Sequence, residues 1–253
     1  MAAILTEQRD GLLIITLNRP EARNAINAEL AQGLDAALTR LDEDATLRVG
    51  IIQGAGGTFC AGMDLKAFVR GESSYTPKRG FGGITEKPPE KPLIAAVEGF
   101  ALAGGFEVAL SCDLIVAAET ARFGLPEVKR GLIAAAGGLM RLPRQLPYRL
   151  AMEMALTGDM YDAALMHQHG LINRLVPAGG ALAAALELAA RITPNAPLSL
   201  AGTKRTIVES RDWPQDGMFA RQFAISKPIS GSADAIEGAT AFAEKRAPVW
   251  KGK

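Results

Sequence analysis

Three times in succession the chain passes from an apolar, strand-like run through a turn into a helical pattern, over residues 12–41, 49–67 and 93–112. That repetition constrains the fold more than any other feature. It specifies β/α units stacked in one domain, and by periodicity alone it allows a doubly wound sheet. Leu12-Leu13-Ile14-Ile15-Thr16-Leu17 is nearly continuous and apolar, as expected of a strand buried on both faces. A first strand over 3–8 joins it through the hairpin signal Asp10-Gly11. Leu30, Leu34, Ala37, Leu38 and Leu41 recur at helical spacing, with Asn27 as the N-cap of a helix over 27–42.

The second passage, from the strand Val49–Gln53, enters Gly54-Ala55-Gly56-Gly57-Thr58-Phe59-Cys60-Ala61-Gly62-Met63-Asp64. Its glycines invite a phosphate-loop reading. Met63 stands where the essential lysine belongs, and Phe59 occupies the third glycine of a dinucleotide fingerprint, so both readings fail. What remains is a turn that lets backbone N–H groups around Ala61–Asp64 approach a ligand. Earlier, Asn18-Arg19-Pro20-Glu21-Ala22-Arg23-Asn24 reads as a polar loop, either a surface turn or a ligand loop with Arg23 near an anion.

Residues 70–92 are rich in glycine, serine and proline, and predict a long loop acting as a lid or pocket wall. Strands follow at Leu93–Val97, Leu114–Ala118 and 121–124, and the helix between them begins near Gly104. Further on, helices are expected at 148–157 and 163–168, a helix ending at Pro143, and a last strand over 171–176. Beyond Pro177 the pattern is helical throughout, at 181–192, 197–210, 214–226 and 232–245. The expected division is a core over 1–192 and a helical region over 193–253, packed on the body or on another subunit. Phe242, Lys245, Trp250 and Lys251 are candidate interface or ligand residues there.

Two acids sit in surroundings that do not suit them. Glu107 lies within Ala103-Gly104-Gly105-Phe106-Glu107-Val108-Ala109-Leu110, and Glu127 follows the turn-like Phe123-Gly124-Leu125-Pro126. A buried carboxyl is pushed toward its neutral form. Two of them in one pocket can divide acid and base roles. Competing chemistries find less support. There is no Gly-x-Ser-x-Gly elbow. His167 and His169 lack the further ligands of a metal site. Cys60 and Cys112, the only cysteines, have no Cys-x-x-Cys spacing and read as core residues. A net charge of +1 argues against nucleic acid or an anionic membrane surface as partner. The N-terminus has no basic and apolar signal pattern and no run reaches membrane-spanning length, so the expected location is the cytoplasm.

Asn18–Ala25, Phe59–Leu65, Ala103–Glu107 and Phe123–Glu127 resemble, in order and spacing, four motifs of the crotonase superfamily, the enoyl-CoA hydratase/isomerase family. The resemblance runs over essentially the whole chain. It implies an α/β spiral of ββα repeats with a C-terminal helical trimerisation region, assembled as a homotrimer or a dimer of trimers. It implies an acyl-CoA substrate and no separate cofactor or metal. The backbone N–H groups of Met63 and Gly104 would form an oxyanion hole. Glu107 and Glu127 stand at the two hydratase acid positions, with Glu127 expected to protonate C2 and Glu107 to position and activate water. Arg23, Ala61, Met63, Asp64, Leu65 and Lys66 would contact substrate or CoA, and Phe242 and Lys245 would reach it from a neighbouring subunit.

One stretch departs from the pattern. Where the family's well-known hydratases have Ile-Pro-Gly-Ala-Gly-Gly, this chain has Ile133-Ala134-Ala135-Ala136-Gly137-Gly138. Together with residues 70–92, this looks closer to carnitinyl-CoA dehydratases and to hydratases of sterol side chains, and it points to a bulky or branched acyl group. The expected activity is hydration of a 2-enoyl-CoA in fatty acid or sterol side-chain degradation. The alternatives are double-bond isomerisation or carnitinyl-CoA dehydration on the same scaffold and, more remotely, non-catalytic acyl-CoA or RNA binding.

Overall fold

The computed structural model describes residues 2–253. Strand β1 (Ile4–Arg9) turns at Asp10-Gly11 into β2 (Leu12–Leu17), and helix α1 (Ala28–Glu43) follows with the Asn27 side chain accepting from the Leu30 N–H. Next come β3 (Val49–Gly54), α2 (Leu65–Val69), and the short hairpin β4 (Tyr75–Thr76) and β5 (Gly80–Phe81). The third unit is β6 (Leu93–Val97), β7 (Phe100–Leu102) and α3 (Gly104–Leu110); the fourth opens with β8 (Leu114–Ala118) and β9 (Arg122–Gly124). A 3-10 turn over Pro126–Arg130 leads to α4 (Gly138–Gln145), α5 (Tyr148–Thr157), β10 (Tyr161–Asp162) and α6 (Ala163–Gln168). The chain closes with β11 (Arg174–Val176), α7 (Ala181–Ala190), α8 (Pro197–Glu209), α9 (Met218–Ser230) and α10 (Ala233–Ala243).

The main sheet runs β1-β2-β3-β6-β8-β11, antiparallel at its first pair and parallel thereafter. A second sheet, β10-β9-β7, collects the short strands that follow the main ones. Single bridges extend this second layer to earlier turns: Cys60 pairs with Ala101, and Ile26 with Met63. Each unit is thus a main strand, a short second strand or bridge, and a helix, wound as a spiral rather than as a doubly wound sheet. The larger core lies between the main sheet and helices such as α1 and α3, with Leu13, Ile15, Leu34, Phe59 and Phe106 fully buried. A smaller core on the opposite face packs β3, β6 and β8 against α7. These strands are apolar on both faces because both faces are covered.

Four expectations need correction. Residues 70–92 form the expected long loop, interrupted only by the β4–β5 hairpin, but as a wall rather than a lid. Arg79 is almost completely buried and pairs with Asp42 at 3.0 Å and Asp35 at 3.4 Å, while its guanidinium also donates to the Lys87 carbonyl. The segment is clasped to α1, and residues 79–85 are buried. It is a wall, as the second half of the expectation had it. The last main strand is shorter than 171–176, because the Asn173 side chain accepts from the Ile115 N–H and the Ile172 carbonyl meets the His167 ring. Helix α9 begins four residues later than 214, at Met218, after Gly217 with a left-handed φ of 80°. Pro143 lies inside α4 rather than at its end.

The tail is fastened to its own body. Lys204 on α8 reaches Asp113 at 2.6 Å and the Lys91 carbonyl at 3.0 Å, and within the tail the Trp250 indole donates to the Pro194 carbonyl. Among the described residues no helix is long and apolar enough to cross a membrane.

Candidate active site

The third spiral unit builds the centre of the site. Helix α3 starts at Gly104 because Ala103 breaks the strand with φ 50° and ψ −130°, a backbone state rare for a residue with a Cβ. Such strain costs on the order of 1–3 kcal/mol and is held by surrounding structure. Here the Ala103 N–H donates to the Gly124 carbonyl, and its carbonyl accepts from Phe106 and Glu107. As the first helical residue, Gly104 presents an N–H without a partner inside the helix. Both glycines are there for close approach. A Cβ on Gly104 would stand 2.4 Å from the Phe81 ring, and one on Gly105 would stand 2.2 Å from the Cys60 carbonyl oxygen.

The second unit brings Met63 to the same place. Ile26 bonds to Gly62 and Asp64 on either side, so the Met63 N–H faces away and finds no acceptor among the described residues. Gly62, at φ 104°, packs so tightly that a Cβ would lie 2.7 Å from that of Ala103 and 3.3 Å from the Gly104 nitrogen. The Met63 and Gly104 backbones therefore border one small space.

That space is a cavity of about 290 Å³. Its lining includes Arg23, Ala61, Met63, Leu65, Gly104, Glu107 and Glu127, which the sequence had singled out. Asp64 and Lys66 do not line it. The Asp64 carboxylate instead takes the Arg19 guanidinium at 2.9 Å and the N–H groups of Lys66 and Ala67, fixing the start of α2. Lys66 lies exposed on that first turn. Phe242, 87% exposed, and Lys245 sit at the end of α10, outside the cavity of their own chain. Sequence reading gave no site role to Tyr75, Phe81, Leu102, Pro126, Arg130 or Leu132; the stretch 133–138, which it had tied to the acyl group, lines the cavity at Ile133, Ala135 and Ala136. Tyr75 and Phe81 meet edge to face at 5.4 Å. Their only sequence signal was two aromatics in a glycine-rich stretch.

The two carboxyl groups share the cavity in unlike settings. Glu107 is 3% exposed, and its Oε1 accepts from the Gly138 N–H at 2.8 Å. Gly138 is the first residue of α4, so the carboxylate caps a helix N-terminus. Burial pushes its pKa upward, opposed by the N–H groups of Gly138 and Ala136 and by the charge of Arg141. Glu127 sits in the 3-10 turn, with Oε2 buried and without a hydrogen-bond partner. Burial pushes its carboxyl up to about 7; its own backbone N–H opposes the rise, and the charge of Glu107 adds to it. Near neutral pH, Glu127 is poised to hold and release a proton, and Glu107, with N–H groups and a cation to stabilise it, is the one better equipped to carry charge. Cys60 is inert by comparison, its thiol pushed up to about 12 by burial.

The wall 133–136 is built of small residues, and Ala135 and Ala136 line the cavity where larger side chains would fill it. Leu132 and Ile133, 38% and 67% exposed, extend apolar surface out to the mouth. The arrangement has two backbone donors, a held carboxylate, a protonated carboxyl and an apolar wall. It can polarise a carbonyl while moving protons at neighbouring carbons.

Comparison with known proteins shows the family. The profile of the enoyl-CoA hydratase/isomerase family matches residues 7–253. A crystal structure of an enoyl-CoA hydratase from Mycobacterium tuberculosis H37Rv superimposes with a TM-score of 0.98 at 58% identity, covering 100% of both chains. The enoyl-CoA hydratase EchA19 of Mycobacterium tuberculosis is 44% identical over 98% of this chain and 96% of that protein. The carnitinyl-CoA dehydratase of Salmonella typhi is 42% identical over 100% of both. The spiral of ββα units is the fold these relatives share, and this chain belongs to the enoyl-CoA hydratase/isomerase family.

Proposed function

We propose that the protein adds water across the 2,3 double bond of a 2-enoyl-CoA thioester. The observation that carries this reading is the unequal pair: Glu107, held by the Gly138 N–H, and Glu127, with a buried unpartnered oxygen and a carboxyl pushed up to about 7, in one cavity. The thioester carbonyl accepts from the Met63 and Gly104 N–H groups, which stabilise the enolate oxygen that forms when C3 is attacked. One such preorganised donor is typically worth about 3–4 kcal/mol. Glu107 takes a proton from the attacking water as its oxygen bonds to C3. Glu127 gives its proton to C2, and the two carboxyl groups then exchange one proton to reset the pair. No redox step arises, so the reading needs no cofactor beyond the CoA of the substrate.

Arg23, beside Ala61 at the cavity, supplies a cation for the CoA phosphates, and Leu65 lines the same side. Phe242 and Lys245 enter the scheme only from a neighbouring copy. The exposed apolar side chains Phe219, Phe223, Ile236 and Phe242 on the tail support a homotrimer or a dimer of trimers, which sedimentation measures directly. The small side chains of Ala135 and Ala136 and the apolar mouth support a branched or bulky acyl group.

A second reading rests on the full-length likeness to a protein named carnitinyl-CoA dehydratase. Elimination of water beside the thioester is the same chemistry in reverse, with Glu107 returning the proton to the leaving hydroxyl. Loss of the enoyl thioester absorbance over a panel of crotonyl-, branched and sterol-derived 2-enoyl-CoAs tests the proposal, with carnitinyl-CoA dehydration assayed beside it. Hydration of a panel member, lost in Glu107→Gln and Glu127→Gln, is the expected result. Dehydration of carnitinyl-CoA with no panel member hydrated would replace the first reading by the second.

A further inference from the structure

The turn Ala136-Gly137-Gly138 holds Glu107, yet the chain leading into it is mostly exposed: Gly131, Leu132, Ile133 and Ala135 all lie at the surface. What braces the turn comes from the other side. Arg141, one turn into α4, donates its backbone N–H to the Gly137 carbonyl at 2.9 Å. Its side chain folds back over the same residue, so closely that a Cβ on Gly137 would stand 2.1 Å from Nη1. Nη2 donates to the Thr85 carbonyl at 2.5 Å. Thr85 is 2% exposed and belongs to the wall that Arg79 clasps to α1. Arg141 makes no carboxylate ion pair within 4 Å among the described residues, so its charge is not committed to a surface acid.

We propose that Arg141 is the positioning residue for Glu107: it braces the turn whose N–H groups hold the carboxylate, ties that turn to the pocket wall at Thr85, and sets a cation beside the acid. It does not line the cavity and acts only through Glu107. The groups facing Arg141 are Glu107 and Cys112 from α3 and its end, and Arg211 from the 3-10 turn after α8. Glu107 is faced in addition by Tyr75 of the wall and by Glu127. A neighbouring cation favours the charged carboxylate. Removing it raises the pH at which Glu107 gains its proton, and frees the turn that aims the group.

The kinetic arm of this inference rests on the two-carboxylate reading; a second arm does not. Arg141→Met and Arg141→Lys are prepared in the wild-type and in the Glu107→Gln background. Carbon-13 labelled glutamate carboxyls are titrated by NMR, the Glu107 signal being the one lost in Glu107→Gln. Arg141→Met moves that titration up in pH, and kcat/KM on the acid limb falls about tenfold for each pH unit moved. Arg141→Lys restores most of the shift. In the Glu107→Gln background, Arg141→Met causes no further loss, as expected of two residues acting as one unit. A Glu107 titration unchanged in Arg141→Met, with rate losses that add in the double variant, would overturn the proposal. If Arg141→Met does not fold, Arg141→Gln keeps a donor for Thr85, removes the charge and decides by the same titration. A protein that hydrates no 2-enoyl-CoA undoes the functional reading, while the carboxyl titration still judges this one.

Discussion

Glu107 grows from a helix in which every residue from Gly104 to Leu110 is buried, whereas Glu127 grows from a 3-10 turn with no buried residue. The first is placed by close packing: Gly104 against Phe81, Gly105 against the Cys60 carbonyl, and the carboxylate against an incoming helix. The second is placed by chain turns, with Pro126 at the start and Gly131 at a left-handed φ of 66° at the end. The difference separates two tasks. On the proposed reading, the carbonyl and the water would meet groups with no room to shift. The acyl chain would meet a surface turn and the small-residue wall that follows it, where side chains can change without cost to the core.

The sharpest way to break this comparison is Glu107→Gln. It should lower kcat by about 10²–10⁴-fold, the usual loss of a positioned proton-transfer group, read from the absorbance assay at saturating substrate. Gly105→Ala comes next. Its Cβ has nowhere to go beside Cys60, so urea unfolding should show destabilisation of about 1–3 kcal/mol or more. Glu127→Gln tests the softer side by the sign of a pH effect. Because the folded group holds its proton up to about 7 and the unfolded one releases it near its ordinary value, wild-type stability falls as pH rises between those points. Glu127→Gln removes that slope and should be the more stable protein at pH 8, by roughly 1–3 kcal/mol. A slope unchanged in the variant would place the titration elsewhere. The smallest effect belongs to Ile133→Ala. With the residue 67% exposed, stability should move by less than about 0.5 kcal/mol, while KM shifts a few-fold for long acyl chains and not for crotonyl-CoA.

What the sequence made legible divides along the same line. The start of α3 at Gly104, the cap at Asn27 and the main strands before the last follow from local pattern and stand close to where that pattern put them. The pair of glutamates was visible because each sat where an acid does not belong. Asp64 misled because its neighbours in the chain face the cavity while its own carboxylate turns back to Arg19. The wall 70–92 was only half legible, for a related reason. Its glycines and prolines read as a long loop that could be a lid or a wall, and what settles it against the body, Arg79 between Asp35 and Asp42, is a contact across the chain that no local period records. The late start of α9 has the same root: Pro214 fits a first helical turn, yet the helix waits for the left-handed Gly217.

The contact of Gly62 with Ala103 and Gly104 has a consequence for how the protein comes to exist in working form. The two sides of the small space belong to different turns of the spiral, and neither turn alone encloses anything. A chain that has wound only its first units has a sheet but no binding place, since contacts so distant in sequence close late. On the proposed reading acyl-CoA needs both turns and grips only the finished molecule, lending that state a stability that grows with the logarithm of its concentration over its dissociation constant. A cell rich in the substrate is, by mass action alone, one in which this protein stays wound.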